Sequence, residues 1–320
     1  MLSELDEKNL AWKQIWLLTQ KNAAGEFEYR KGLTLVERQE IIDVLRDFLD
    51  YTRSIEVATT GKVLGPADST STEAKDDGET QDQPSTLQIH DPKSYSFDEK
   101  HLWIPWAKSL QSGAKRGSYP KKYPAGLVLH WTAGHRNGLE AGNEVMRNTG
   151  MLYLLGDKDG NIGQSDSLAY HGYHAGVSSH KFANGYVSDE WVGLELQAAG
   201  TLSKVGDQYI PWFKKPVPAE EVVYSAKREN ISAGYYHRYT YEQMLATRKL
   251  VCWLHLNNPS VFSIDRVCGH DEVSPGRKTD PGASVFAYTA PNSTAGKVMT
   301  MSEFRTLCKS DVAKILASRK

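Results

Sequence analysis

This sequence predicts an α/β fold: a mixed, largely parallel central sheet flanked by helices, with a separate small helical segment at the N-terminus. Three observations carry the prediction. "AGLVLHW" (125–131) is a continuous apolar run between a glycine and a "TAG" turn, as a strand buried on both faces would be. "WVGLELQAAG" (191–200) alternates, with Val192, Leu194 and Leu196 on one face and Glu195 and Gln197 on the other. Helical periodicities follow these strands, and strands alternating with helices build a sheet covered on both faces.

Taken in order, residues 1–62 read as helical. "LTLVERQEIIDVLRDFLDYTR" places Thr34 and Glu37 in capping-box register, and Ile41, Val44, Leu45 and Phe48 repeat at helical spacing. Residues 63–99 are polar, acidic and poor in apolar anchors, so they read as a flexible linker that cannot offset its ordering entropy. Residues 100–320 form the α/β domain. "MLYLLGDKDGNIGQS" predicts two strands around a tight turn at Asp157–Gly160; the "DKDGN" within it lacks the frame and the closing Glu of a calcium loop. "TYEQMLATRKLVCWLHLNN" (240–258) is a helix opened by Thr240 and Gln243, with a stripe through Met244, Leu245, Val251 and Cys252. The closing helix, "MSEFRTLCKSDVAKILAS", is read with a Ser302 cap.

The totals exclude several classes of function. A net charge of −1 supplies no general field toward nucleic acid or anionic lipid. Three widely spaced cysteines (Cys252, Cys268, Cys308) argue against a disulfide framework and fit folding in a reducing compartment. No run reaches the ~18 apolar residues of a membrane span. The N-terminus lacks a secretory pattern, so the expectation is synthesis in the cytoplasm, with any extracytoplasmic substrate reached by another route.

Candidate chemistry gathers at strand ends, where loops are free of the sheet's packing demands. His130 follows "GLVL", His270 follows "RVCG", and Asp280 lies ten residues further across a loop rich in Pro and Gly. Two imidazoles and one carboxylate suit a tridentate zinc site with its fourth position open. Spacing alone is equally explained by two packed core histidines and a turn aspartate. Glu195 suits proton transfer if its strand face lines a cleft, and a solvated face otherwise. Lys278 suits an oxyanion, or is an exposed loop lysine. His171, His174 and His180 lie in the glycine-rich "AYHGYHAGVSSH", which favours a loop over a second metal site. His255 reads as a packed histidine, and Cys268 as a small buried hydrophobe.

"VLHWTAG", "YHAGVSS", "VGLELQAAG" and "GHDEVSPGRKTDPG" occur here in one order. In that order they resemble the type-2 family of zinc-dependent N-acetylmuramoyl-L-alanine amidases, which includes phage lysozyme-type amidases and muropeptide-recycling enzymes. Peptidoglycan recognition proteins of animals share the fold. The resemblance spans roughly residues 100–310, and its last motif is the most specific. It implies one Zn2+ per chain held by His130, His270 and Asp280, with Glu195 as the catalytic acidic group and Lys278 steadying the oxyanion. It also implies a substrate cleft bordered by Trp131, Tyr173 and His174, where Tyr173 replaces the family's usual tryptophan. The substrate class implied is peptidoglycan or muropeptides. The role expected is a wall-lytic enzyme, a phage lysin or a secreted antibacterial effector, acting in the periplasm or cell wall; a delivery apparatus or cognate inhibitor would be its protein partner. Cytosolic muropeptide recycling and peptidoglycan binding without cleavage are the alternatives. The six aromatic residues of the long 201–239 segment are expected mostly to pack that segment.

Overall fold

The computed structural model describes residues 19–21, 27–29, 89–90, 95, 101–110, 117–146 and 154–318. The chain divides into two units, Met1–Gln83 and Pro84–Lys320. In the first, β1 (Thr19–Lys21) pairs antiparallel with β2 (Phe27–Tyr29). This corrects the helical expectation for that stretch. Phe27 and Tyr29 alternate, and the intervening "NAAGE" gives a five-residue connection with a glycine, which is hairpin chemistry. The helix expected around Thr34–Phe48 lies outside the described residues, as does most of the expected linker.

In the second unit the strands are β3 (Lys108–Ser109), β4 (Gly117–Ser118), β5 (Gly126–Trp131), β6 (Leu154–Gly156), β7 (Ile162–Gln164), β8 (Tyr170–His171) and β9 (Trp191–Leu196). They are followed by β10 (Thr201–Val205), β11 (Gln208–Ile210), β12 (Val222–Ser225), β13 (Gly234–His237), β14 (Val267–Gly269), β15 (Phe286–Tyr288) and β16 (Gly296–Val298). The helices are α1 (Leu139–Met146), α2 (Val187–Glu190), α3 (Tyr241–Asn257), α4 (His270–Val273) and α5 (Met301–Ala317). Ile89 and Tyr95, within the expected linker, are buried in this unit's core.

The central sheet has the order β14-β5-β9-β6-β7-β3. β14, β5, β9 and β6 run parallel, and the tight turn at Asp157–Gly160 makes β6–β7 the antiparallel pair. Strand parity divides the faces. Leu127, Leu129, Leu194 and Leu196 pack with Leu250, Trp253 and Phe304 of α3 and α5 in the main core. Val128, Trp191 and Cys268 face the other way, against Ala175, Val187 and Val273. The long helices therefore cover one face, and short helices and loops cover the face that carries His130 and Glu195.

Helix α3 opens with the capping box of Thr240 and Gln243. Most of its circumference is buried, beyond the stripe expected, because it lies between the sheet and α5. Helix α5 starts one turn-residue pair earlier than a Ser302 cap would allow. Thr300 accepts from the Glu303 amide, and the Glu303 carboxylate accepts from the Thr300 amide.

The 201–239 segment forms a four-stranded antiparallel sheet, β11-β10-β13-β12. Tyr235 meets Tyr209 at a tilted angle and Tyr224 edge-on, and Tyr236 is buried, as packing of the segment requires. Trp212 and Tyr224 remain 45% and 59% exposed, so the packing does not absorb every aromatic ring. The three cysteines are buried and free. No helix among the described residues is long and apolar enough to cross a membrane.

Candidate metal centre

Strand register does what 140 residues of separation conceal. In the parallel pair β5–β9, His130 sits opposite Glu195; in β14–β5, Gly269 sits opposite Leu129, so His270 comes level with His130. Neighbouring strands are about 4.8 Å apart. Three adjacent strands thus deliver His270, His130 and Glu195 as one row at their C-terminal ends. The loop after α4 returns to complete the set: the Asp271 amide donates to the Asp280 carbonyl at 2.8 Å, which brings the Asp280 side chain back to the row.

The Nδ1 atoms of His130 and His270 lie 2.9 Å apart, and Oδ2 of Asp280 is 3.1 Å from the first and 3.0 Å from the second. All three residues are buried. Each ring spends its other nitrogen on the protein: His270 Nε2 donates to the Ala175 carbonyl at 3.0 Å, and His130 Nε2 meets Nδ1 of His174 at 3.0 Å. What remains is a triangle of ligand atoms facing one point. A tetrahedral zinc with bonds of about 2.0 Å separates its ligand atoms by about 3.3 Å. The two nitrogens and one oxygen, at 2.9–3.1 Å, fit that ion. Within the described residues this is the group whose donors could hold a metal.

Electrostatics agrees with the geometry. Burial, reinforced by the His270 ring and by the Lys278 ammonium, holds His130 down to about 4, so it is neutral and ligand-competent at physiological pH. Burial works to raise the Asp280 carboxyl, but the His270 and His130 rings outweigh it and keep the group well below the ordinary carboxylate range. Both states are those a metal requires. Burial also pushes His174 well below its usual value. Beside the ligands, burial and the neighbouring Glu272 and Asp280 raise Asp271 to about 8.

The remaining sequence-predicted residues fall around this triangle. Glu195 is buried on the same sheet face. Lys278 is half-buried, with its amide on the Ser274 carbonyl, and its charge acts on His130. His174 is buried and reaches the centre through His130, with both ring nitrogens engaged inside the protein. Tyr173 is half-buried against Leu110, Leu139 and Leu155. Trp131 is half-buried next to Tyr236, 6.3 Å between ring centroids, and against Gly200 and Gly282. A Cβ at either glycine would lie 2.9–3.2 Å from the indole, and both have positive φ.

Sequence reading did not single out Ser188, Ala175 or Tyr239. Ser188 Oγ accepts from the Ala175 amide at 3.0 Å, the Ala175 carbonyl serves His270, and the Tyr239 hydroxyl donates to the His130 carbonyl at 3.1 Å. All three contacts run through a backbone atom, which leaves no mark on residue type.

A family model described as N-acetylmuramoyl-L-alanine amidase matches residues 120–283, which include His130, Glu195, His270, Lys278 and Asp280. Among solved structures the chain is similar to a selenomethionine derivative of AmpD, at 20% identity and a TM-score of 0.41, covering 65% of this chain and 98% of that one. It is also similar to AmiD from E. coli, in complex with anhydro-N-acetylmuramic acid-L-Ala-D-γ-Glu-L-Lys, at 18% identity and a TM-score of 0.35, covering 52% and 55%. AmpDh3 from Pseudomonas aeruginosa, in complex with an anhydromuramic pentapeptide, is similar at 17% identity and a TM-score of 0.35, covering 59% and 61%. No curated protein sequence matches the chain.

Proposed function

Because this chain belongs to the N-acetylmuramoyl-L-alanine amidase family, we propose that it hydrolyses the amide between the muramic acid lactyl group and L-alanine, with one zinc held by His130, His270 and Asp280. The observation that carries the reading is the buried triangle of two Nδ1 atoms and one carboxylate oxygen, with edges of 2.9–3.1 Å. Zinc bound there supplies Lewis acidity, polarising a carbonyl and lowering the pKa of a water toward ~7.

The chain's own groups do the rest. Glu195, beside His130 on the next strand, accepts the proton of the attacking water and returns it to the departing amine of L-alanine. The water oxygen ends on the lactyl carboxylate, so the stem peptide leaves with a free N-terminus. Lys278, whose ammonium already acts on His130, opposes the negative charge that develops on the carbonyl oxygen. Trp131 and Tyr173 border the cleft in this reading.

We assign the protein a wall-lytic role, as a phage lysin or a secreted antibacterial effector acting in the periplasm or cell wall. The separate unit Met1–Gln83 supports this, as a place for targeting or delivery. In the effector case a delivery apparatus and a cognate inhibitor are its partners. Digestion of purified sacculi with the zinc-loaded protein, followed by mass spectrometry, tests the proposal. Stem peptides beginning at L-alanine are expected. Release from soluble muropeptides alone would replace the lytic role with recycling, and no cleavage of either would leave a binding protein.

A further inference from the structure

His174 supplies no atom to the metal triangle, yet it closes a chain of contacts that ends there. Its Nε2 lies 2.9 Å from the Trp191 carbonyl, its Nδ1 3.0 Å from His130 Nε2, and His130 Nδ1 faces His270 and Asp280. The location of each proton follows in sequence. A carbonyl only accepts, so Nε2 of His174 carries hydrogen. The buried ring has another imidazole and a backbone carbonyl as its partners and no carboxylate to balance a charge, so it is neutral and Nδ1 of His174 is a bare lone pair. It must then accept from His130, which places the His130 proton on Nε2 and leaves the His130 Nδ1 lone pair aimed at the centre.

We propose that His174 is a positioning residue that sets the tautomer of the ligand His130, with the Trp191 carbonyl as the fixed end of the relay. The inference rests on the metal-centre reading and adds to it how the ligand set is held ready before a metal arrives. Ala175, next in the chain, performs the same service for His270 through its carbonyl. Ser188 holds the dipeptide in place by accepting from the amides of both His174 and Ala175, at 3.4 and 3.0 Å. The adjacent strand is shaped to admit the ring. A Cβ at Gly193 would come within 2.7 Å of His174 Cγ and 2.9 Å of its Nδ1, so any larger residue there must move the imidazole. This gives a physical reason for the glycine in the middle of "WVGLEL", where a strand otherwise prefers a side chain to pack.

The test combines ring-nitrogen NMR on the metal-free full chain with zinc affinity from chelator competition. The expected result in the unsubstituted protein is His130 protonated at Nε2. In His174→Leu, with no acceptor at that position, His130 should populate the Nδ1–H form, and zinc affinity should fall about 10–100-fold, the usual effect of removing a group that orients a ligand. His174→Asn keeps an acceptor near the Nδ1 position and should recover most of the loss. Gly193→Ala should weaken zinc without removing a polar group, by displacing the ring. Finding His130 protonated at Nδ1 in the unsubstituted protein, or unchanged zinc affinity in a folded His174→Leu, would overturn the relay. Absence of zinc binding by the unsubstituted protein would instead count against the metal centre, while the tautomer measurement would still decide the relay.

Discussion

In the proposed reaction two carboxylates of this site have separate roles. Asp280 lies 3.0–3.1 Å from both ligand nitrogens, whereas Glu195 is delivered by strand register beside His130. Asp280→Ala should therefore abolish zinc retention and turnover together, with the far-UV circular dichroism spectrum kept. Glu195→Ala should keep zinc at one per chain and lower kcat by about 10²–10⁴-fold, the span of general acid–base assistance. Parallel loss of zinc in both variants would erase the distinction. The pairing of His270 with Asp280 was legible in sequence because "GHDEVSPGRKTDPG" carries both within one loop. The direction of His174 was not, since "YHAG" says nothing about which way a ring nitrogen points. The partner that orients that ring is a carbonyl of Trp191, invisible in side-chain type.

At the scale of elements, the four-stranded sheet of residues 201–237 is tied to the central sheet by a short polar chain. The Ala199 amide donates to His237 Nδ1 at 2.8 Å, so His237 is neutral and donates from Nε2 to Glu221 at 2.7 Å, and Lys158 donates to the same carboxylate at 2.8 Å. The His237 hydrogen bond, opposed by burial and helped by Lys158, draws Glu221 down to about 2. A carboxylate depressed in the folded state adds stability above its unfolded value of about 4.3 and loses it as pH falls toward 2. Glu221→Gln should accordingly lower Tm at neutral pH and converge with the unsubstituted protein between about pH 4.5 and 2. A constant difference across that range would show that Glu221 acts by packing alone. Elements with strong local signals were legible, such as the capping box of α3 and the turn at Asp157–Gly160. Helix α5 shows the limit: Ser302 and Thr300 are both plausible caps, and only Thr300 has a glutamate at the third position to return the hydrogen bond.

At the scale of the whole molecule, the core of the second unit holds a buried ionic junction behind the sheet. Asp311 of α5 is fully buried and accepts two hydrogen bonds from Arg248 of α3, each 2.9 Å, and a third from His90 at 2.9 Å. Removing one member of such a group leaves a buried charge without compensation. Asp311→Ala should cost about 3 kcal/mol, the low end for a buried pair because Arg248 keeps 23% of its side chain exposed. Denaturant titration checks this, and zinc content of the folded fraction should be unchanged, since the junction lies on the face opposite the candidate metal centre. The α/β class was legible from apolar runs and alternation. The meeting of His130 and His270 was not, because it is a product of the order β14-β5-β9, which no local pattern encodes. The most direct test of the whole account is zinc K-edge absorption on the full chain reconstituted with one equivalent of metal. The expected result is a four-coordinate shell of nitrogen and oxygen at about 2.0–2.1 Å with the outer scattering of two imidazoles. A sulfur shell near 2.3 Å, or a shell of oxygen without imidazole, would place the metal elsewhere and contradict it.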